Sequence, residues 1–243
     1  MAGRSGVRIL CLLALAALFS GGRAAVAADL HAVLAAGDNA QQVFDNAVAA
    51  LAARLEADGV PAGNIHRLSA GPISPGTGVE PATLDNLLRT ISTLRVPPDG
   101  SCLVFLTSHG ERGEGLWLAR SEAALHPAAL AQALSQGCGA VPTVVVVSGC
   151  YSGGFAKGAM QKPNRVILTA ARADRPSFGC QAERTYTFFD QCLLGVLPKA
   201  ATWRAVFAGT KACVGRMERA RGERPSDPQA FFGREVARLK LGF

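Results

Sequence analysis

Histidine is scarce in this 243-residue chain. There are four, at positions 31, 66, 109 and 126, and none beyond. Any imidazole chemistry must draw on one of them. No Cys-x-x-Cys pair occurs, and no histidine stands at metal-ligand spacing from a cysteine, so neither a zinc site nor any other metal or cofactor is expected. No Gly-Lys-Ser/Thr follows the glycines at 149, 153 and 154, which excludes a phosphate cradle of the P-loop kind. Aromatics make up only 6% of the residues and are not interleaved with basic ones, so a nucleic-acid partner is not expected. Beyond residue 27 there is no apolar run long enough to cross a bilayer. There is no repeat, and the composition is that of an ordinary globular chain.

What is present begins with a leader. Arg4 and Arg8 precede the apolar run 9–19, and Ala25-Val26-Ala27 supplies small residues before a cut. That is the layout of a signal peptide over 1–27, and the run is short for a membrane anchor. The reading is a soluble protein, exported from a bacterial-type cytoplasm to the periplasm or beyond, with no stable membrane association after cleavage. Loss of 1–27 removes three arginines and no acid, so the net charge of +7 falls to a mild basic excess.

The remainder alternates. Apolar runs at 30–36, 64–68, 102–107, 143–148 and 165–170 read as strands. Helical periodicity marks 42–58, 81–94, 126–134, 186–197, 203–219 and 229–239. Leu116-Trp117-Leu118, flanked by glycines, reads as a hairpin piece. Such alternation predicts one α/β domain over 29–243, a three-layer α/β/α sandwich on a mostly parallel sheet. The near-continuous β-branched run Thr143-Val144-Val145-Val146-Val147 predicts a strand buried on both faces.

That run ends in Ser148-Gly149-Cys150-Tyr151-Ser152-Gly153-Gly154, and the run at 102–107 ends in Ser108-His109-Gly110. Ligands and catalytic groups collect at the carboxyl ends of such strands. A thiol beside a base becomes a strong nucleophile, so Cys150 and His109 are the candidate catalytic pair. Backbone N–H groups at Gly110 and Cys150 are candidate donors to a developing oxyanion. Chain order narrows the class. No histidine follows Cys150, whereas α/β-hydrolases and papain-like enzymes place the nucleophile before the histidine. Histidine before cysteine, each closing a strand, is the order of the caspase-like fold.

Four stretches carry a family resemblance. They are Ala35-Ala36-Gly37-Asp38-Asn39; Phe105-Leu106-Thr107-Ser108-His109-Gly110; Val147-Ser148-Gly149-Cys150-Tyr151-Ser152-Gly153; and Thr169-Ala170-Ala171-Arg172-Ala173-Asp174-Arg175-Pro176-Ser177-Phe178-Gly179-Cys180. Over roughly 30–190 the chain resembles the legumain family of cysteine peptidases, in the caspase-like clan, as a secreted bacterial member. The resemblance implies a cysteine-type endopeptidase acting on peptide or protein substrates through a Cys150 thioester, with His109 as general base. It further implies Asn39 as an assistant to His109, and Ser177, Asp174 and Tyr151 at the substrate. Tyr151 stands where legumain has an acidic residue that helps select asparagine, so strict asparagine specificity does not carry over. A transpeptidase or amide ligase of the same fold, and a non-catalytic binding module, remain as alternatives.

Plainer roles stand beside these. Asn39 either assists His109 or caps the helix beginning near Gln42. Ser177 is either a substrate contact or a loop serine. Asp174 either meets a basic substrate residue or pairs with Arg172 or Arg175. His126 reads as structural, at a helix start before Pro127. Of the cysteines after residue 27, Cys102 opens the strand ending in His109, and Cys138 just precedes the strand ending in Cys150. If those strands are parallel neighbours, the two cysteines meet at the sheet's amino-terminal edge, and a disulfide is expected there. The other reading is two small buried hydrophobes. A second bridge is expected among Cys180, Cys192 and Cys213, with Cys192–Cys213 between two late helices as the weaker expectation.

Overall fold

The computed structural model describes Met1, Gly3 and residues 29–242; the expected leader, apart from those first two residues, lies outside them. Strands β1 (Leu30–Ala36), β2 (Ile65–Ser69), β3 (Val79–Pro81), β4 (Ser101–Thr107), β8 (Thr143–Ser148), β9 (Arg165–Thr169) and β10 (Gln229–Phe232) pair into one sheet. Among the described residues its order is β10-β9-β8-β4-β1-β2-β3. All neighbours are parallel except β10 on β9. A smaller antiparallel sheet joins β5 (Gly110–Glu111), β6 (Gly115–Leu118) and β7 (Ala123–Leu125), so the expected hairpin piece is its middle strand.

Strand alternation sends successive side chains to opposite faces, and each face meets its own helices. Ala32, Leu34, Leu103, Phe105, Val144 and Val146 pack with α1 (Val43–Ala57), α4 (Phe188–Val196) and α5 (Trp203–Ala220). Val33, Ala35, Val104, Leu106, Val145 and Val147 pack with α2 (Leu84–Ser92) and α3 (Pro127–Gly137). Every residue of β8 is buried, as two-sided cover requires. The result is the three-layer α/β/α architecture with a mostly parallel centre. Helix starts follow local chemistry: the Thr83, Thr187 and Thr202 side chains each accept a backbone N–H of the first turn, and Pro127 opens α3.

One element differs from expectation. The stretch 229–239 is not a helix: Gln229–Phe232 forms β10, antiparallel to β9 with Phe232 opposite Val166. Its side chains follow a period of two, Ala230 and Phe232 meeting the α1/α4/α5 core and Phe231 the other. Gly233 then ends the strand where a Cβ would lie 2.2 Å from the Pro163 carbonyl oxygen. A three-residue apolar run does not by itself separate strand from helix; the free edge of β9 decides it.

Both expected disulfides are present. Cys102–Cys138 joins the start of β4 to the end of α3 with Cα atoms 5.9 Å apart, and Cys192–Cys213 joins α4 to α5 at 5.7 Å. Cys150 and Cys180 are free. The first bridge lies at the edge of the sheet opposite Cys150. It spans a sequence separation of 36, which loop-closure entropy makes worth about 3–4 kcal/mol. The double variant Cys102→Ala/Cys138→Ala is therefore expected to unfold at clearly lower guanidinium concentration, while Cys150 remains open to alkylation. Equal unfolding midpoints for the variant and the oxidised parent would rule out that contribution.

Candidate active site

The site is assembled by strand register. β4 and β8 pair in parallel with Thr107 opposite Ser148, and the Ser108 amide donates to the Ser148 carbonyl at 3.0 Å. His109 and Cys150 each follow two residues beyond that matched pair. Thr107 and Ser148 continue the sets Leu103–Phe105 and Val144–Val146, which face α1, α4 and α5. His109 lies on the same side: the Phe44 ring of α1 stands edge-on to its imidazole, with centroids 5.2 Å apart. Phe44 is fully buried. It is a wall for the histidine that sequence periodicity reads only as core.

The two backbones touch beyond the strands. A Cβ built on Gly110 would fall 2.1 Å from the Cys150 carbonyl oxygen and 3.2 Å from its nitrogen. Backbone cannot yield as a flexible side chain can, so only glycine fits. Gly110→Ala is expected to separate the two loops and lower kcat/KM about 10²-fold, since small misplacements at a reacting centre cost that much. A variant within twofold of the parent would show that this approach is unnecessary.

Past Cys150 the chain turns sharply. Tyr151 adopts φ of +57°, in the left-handed region that non-glycine residues seldom occupy. Its amide donates to the Arg175 carbonyl at 2.9 Å, and the Ala171 amide donates to the Ser152 hydroxyl at 3.2 Å. These bonds hold the 170–177 loop against the cysteine turn. The loop brings Ser177 to the sulfur: its amide lies 3.3 Å, its carbonyl oxygen 3.5 Å and its hydroxyl 3.6 Å from Cys150 Sγ. Ser177 is thus a direct neighbour of the thiol.

The other expected contacts sort differently. Asp174 is paired with Arg172 by two bonds, one of 2.8 Å, and this guanidinium holds its carboxyl well below the usual carboxylate range. The pairing with Arg172, one of its two readings, is therefore present. Tyr151 carries the Arg112 guanidinium over its ring at 5.2 Å, and Arg112 also donates to the Asp174 carbonyl at 3.0 Å. Asn39 sits exposed on the loop after β1 and lines a cleft of about 700 Å³ with Gln42, Asp45, Arg67 and Ser69. It does not cap α1, whose N-cap is Gln42 without a side-chain bond. His126 is the N-cap residue of α3, as its place before Pro127 implies.

Cys180, which closes the quoted 169–180 stretch, and Asp190, which the sequence reading did not single out, lie in the same neighbourhood. The Cys180 thiol is pushed up to about 12, first by burial and then by Cys150, Asp190 and Asp38 nearby. Asp190, in the first turn of α4, is fully buried. A lone acid in Phe188-Phe189-Asp190-Gln191-Cys192-Leu193, three residues after the cap Thr187, was the signal available. Among the described residues no group of three or more His, Cys, Asp or Glu side chains is placed to hold a metal ion. No helix among them is long and apolar enough to cross a membrane.

Residues 87–198, which include His109, Cys150 and Ser177, match the model of the Peptidase C13 family. This stretch is similar to that family of peptidases. Asn39 lies outside it. No curated protein matches the chain. Among solved structures, the crystal structure of caspase-1 from Spodoptera frugiperda is similar at 12% identity and a TM-score of 0.59, covering 85% of this chain and 87% of that one. At that identity the likeness concerns fold, and the fold is caspase-like. The match over 87–198 supports a peptidase type of activity, and hence a peptide or protein substrate, at the level of the family.

Proposed function

We propose that this chain is an exported cysteine endopeptidase in which Cys150 is the nucleophile and His109 the general base. The observation that carries the reading is the β4–β8 register, which leaves the two residues at equal distances beyond a matched pair of strand ends. In the proposed cycle the Cys150 sulfur attacks the scissile carbonyl carbon and its proton passes to His109. The carbonyl oxygen gathers negative charge beside the amides of Gly110 and Cys150. The tetrahedral species collapses: the C–N bond breaks, His109 returns the proton to the amine, and the acyl group remains as a thioester. Water, deprotonated by His109, then attacks the thioester; the acid departs and the thiol is restored.

Ser177, touching the sulfur, is the candidate to lie along the substrate at the scissile bond. Asp174 is committed to Arg172, so selectivity for a basic residue is not assigned to it. The Tyr151–Arg112 pair is the candidate wall on that side. A role for Asn39 in orienting the base rests on the family resemblance alone, and a smaller effect is expected on its substitution than at His109. Two features support export: the leader pattern of 1–27 and two disulfides, which persist in oxidising compartments.

The test is a peptide-library cleavage profile of the protein lacking 1–27, with Cys150→Ala as control and an added amine in a parallel reaction. Cysteine-dependent hydrolysis at defined bonds is the expected result. Transfer of the acyl group to the amine as main product would replace hydrolysis by transpeptidation, and no cleavage of any peptide would sink the reading.

A further inference from the structure

One layer beneath His109 and Cys150, a carboxylate stands beside the two strands that carry them. Asp190 is fully buried, and so are Thr107 and Ser148. The Thr107 hydroxyl donates to Asp190 Oδ2 at 2.8 Å across 83 residues of sequence. The Ser148 and Thr187 side chains stand beside the same carboxyl and favour its ionised form. Asp190 is itself held at the start of α4, where its amide donates to the Thr187 hydroxyl at 3.1 Å. Oδ1 has no partner. The thiol of Cys180 is raised by both Cys150 and Asp190, which places all three in one neighbourhood.

A buried carboxylate with only hydroxyl partners is costly. Burial pushes its pKa up, and the three hydroxyl-bearing residues pull against that. A cap alone does not require it: Thr202 caps α5 with no acid in the first turn. What is particular to Asp190 is its partners. Thr107 and Ser148 face each other in register, and each stands two residues before a member of the candidate pair. One side chain, anchored on a different helix, is thus bonded to the end of β4 and stands beside the end of β8.

We propose that Asp190 is a positioning residue for the His109–Cys150 pair, acting through the Thr107 hydroxyl it accepts from and through Ser148, which faces Thr107 in register. The proposal rests on the peptidase reading for its catalytic readout but not for its second one, the alkylation of Cys150 by iodoacetamide. That reaction needs only the thiol and the base beside it. Wild-type alkylation near neutral pH should slow in His109→Ala, which calibrates this readout.

The expected result for Asp190→Asn is a loss of kcat on the order of 10–100-fold with KM within about twofold. Alkylation should fall toward the His109→Ala rate. A second variant separates positioning from simple stability. Thr107→Val/Ser148→Ala/Asp190→Leu removes the carboxyl together with the hydroxyls at the two strand ends and leaves Thr187, which still caps α4 by accepting the amide of residue 190; buried networks tolerate such joint removal far better than loss of one member. It should fold, by its thermal transition and near-ultraviolet circular dichroism, and still be slow in both assays. If either folded variant keeps kcat and alkylation within twofold of the parent, the proposal is overturned. If the wild type cleaves no peptide, the peptidase reading fails, and the alkylation rates alone decide the role of Asp190.

Discussion

Cys150→Ala is expected to reduce peptide hydrolysis to the assay floor while leaving the fold intact. The sulfur is the only atom at the end of β8 able to form the thioester, and removal of a nucleophile typically costs on the order of 10⁶ in kcat. The structural cost is small. Cys150 is only partly buried, is not disulfide-bonded, and its sulfur contacts are those with Ser177. The fall in rate should therefore come without a comparable fall in melting temperature. The check is kcat on the best peptide from the library, beside a thermal unfolding curve. Activity above about one per cent of the parent would mean that another group performs the attack. Cys180, the other free thiol among the described residues, is a poor substitute, because burial holds it protonated.

His109→Ala is expected to lower kcat/KM by about 10²–10⁴, the usual worth of a positioned general base. The imidazole leaves a space against the edge of Phe44, so added imidazole should restore part of the rate. His66→Ala serves as control and should stay within twofold, since His66 lies in β2, separated from β8 by β1 and β4. A His109→Ala enzyme with near-full activity would remove His109 as the base. A loss shared equally by His66→Ala would point to general destabilisation instead.

Much of this was legible in the sequence because it is locally encoded. The β-branched run of β8 and the apolar run of β4 specify buried strands, and both are found with nearly the expected bounds. The Cys102–Cys138 bridge followed from the adjacency of those strands. The helix periods at 42–58 and 203–219 were strong enough to hold to within a residue or two of α1 and α5. Where the local signal was short, it misled or gave out. The Ala230-Phe231-Phe232 run fits either period, and β3 is three residues long.

By itself, then, the sequence determined which residues close the two central strands, the order of histidine before cysteine, and the layered α/β class. Each of these depends on side-chain type and period along a continuous stretch. Tertiary structure alone decided that Asp174 is engaged by Arg172, that Ser177 reaches the sulfur, that Phe44 backs His109, and that Thr107 donates to Asp190. Except for the first, these contacts join segments tens of residues apart. Their partners are chosen by strand register and by which helix covers which face, and no window along the chain contains that information.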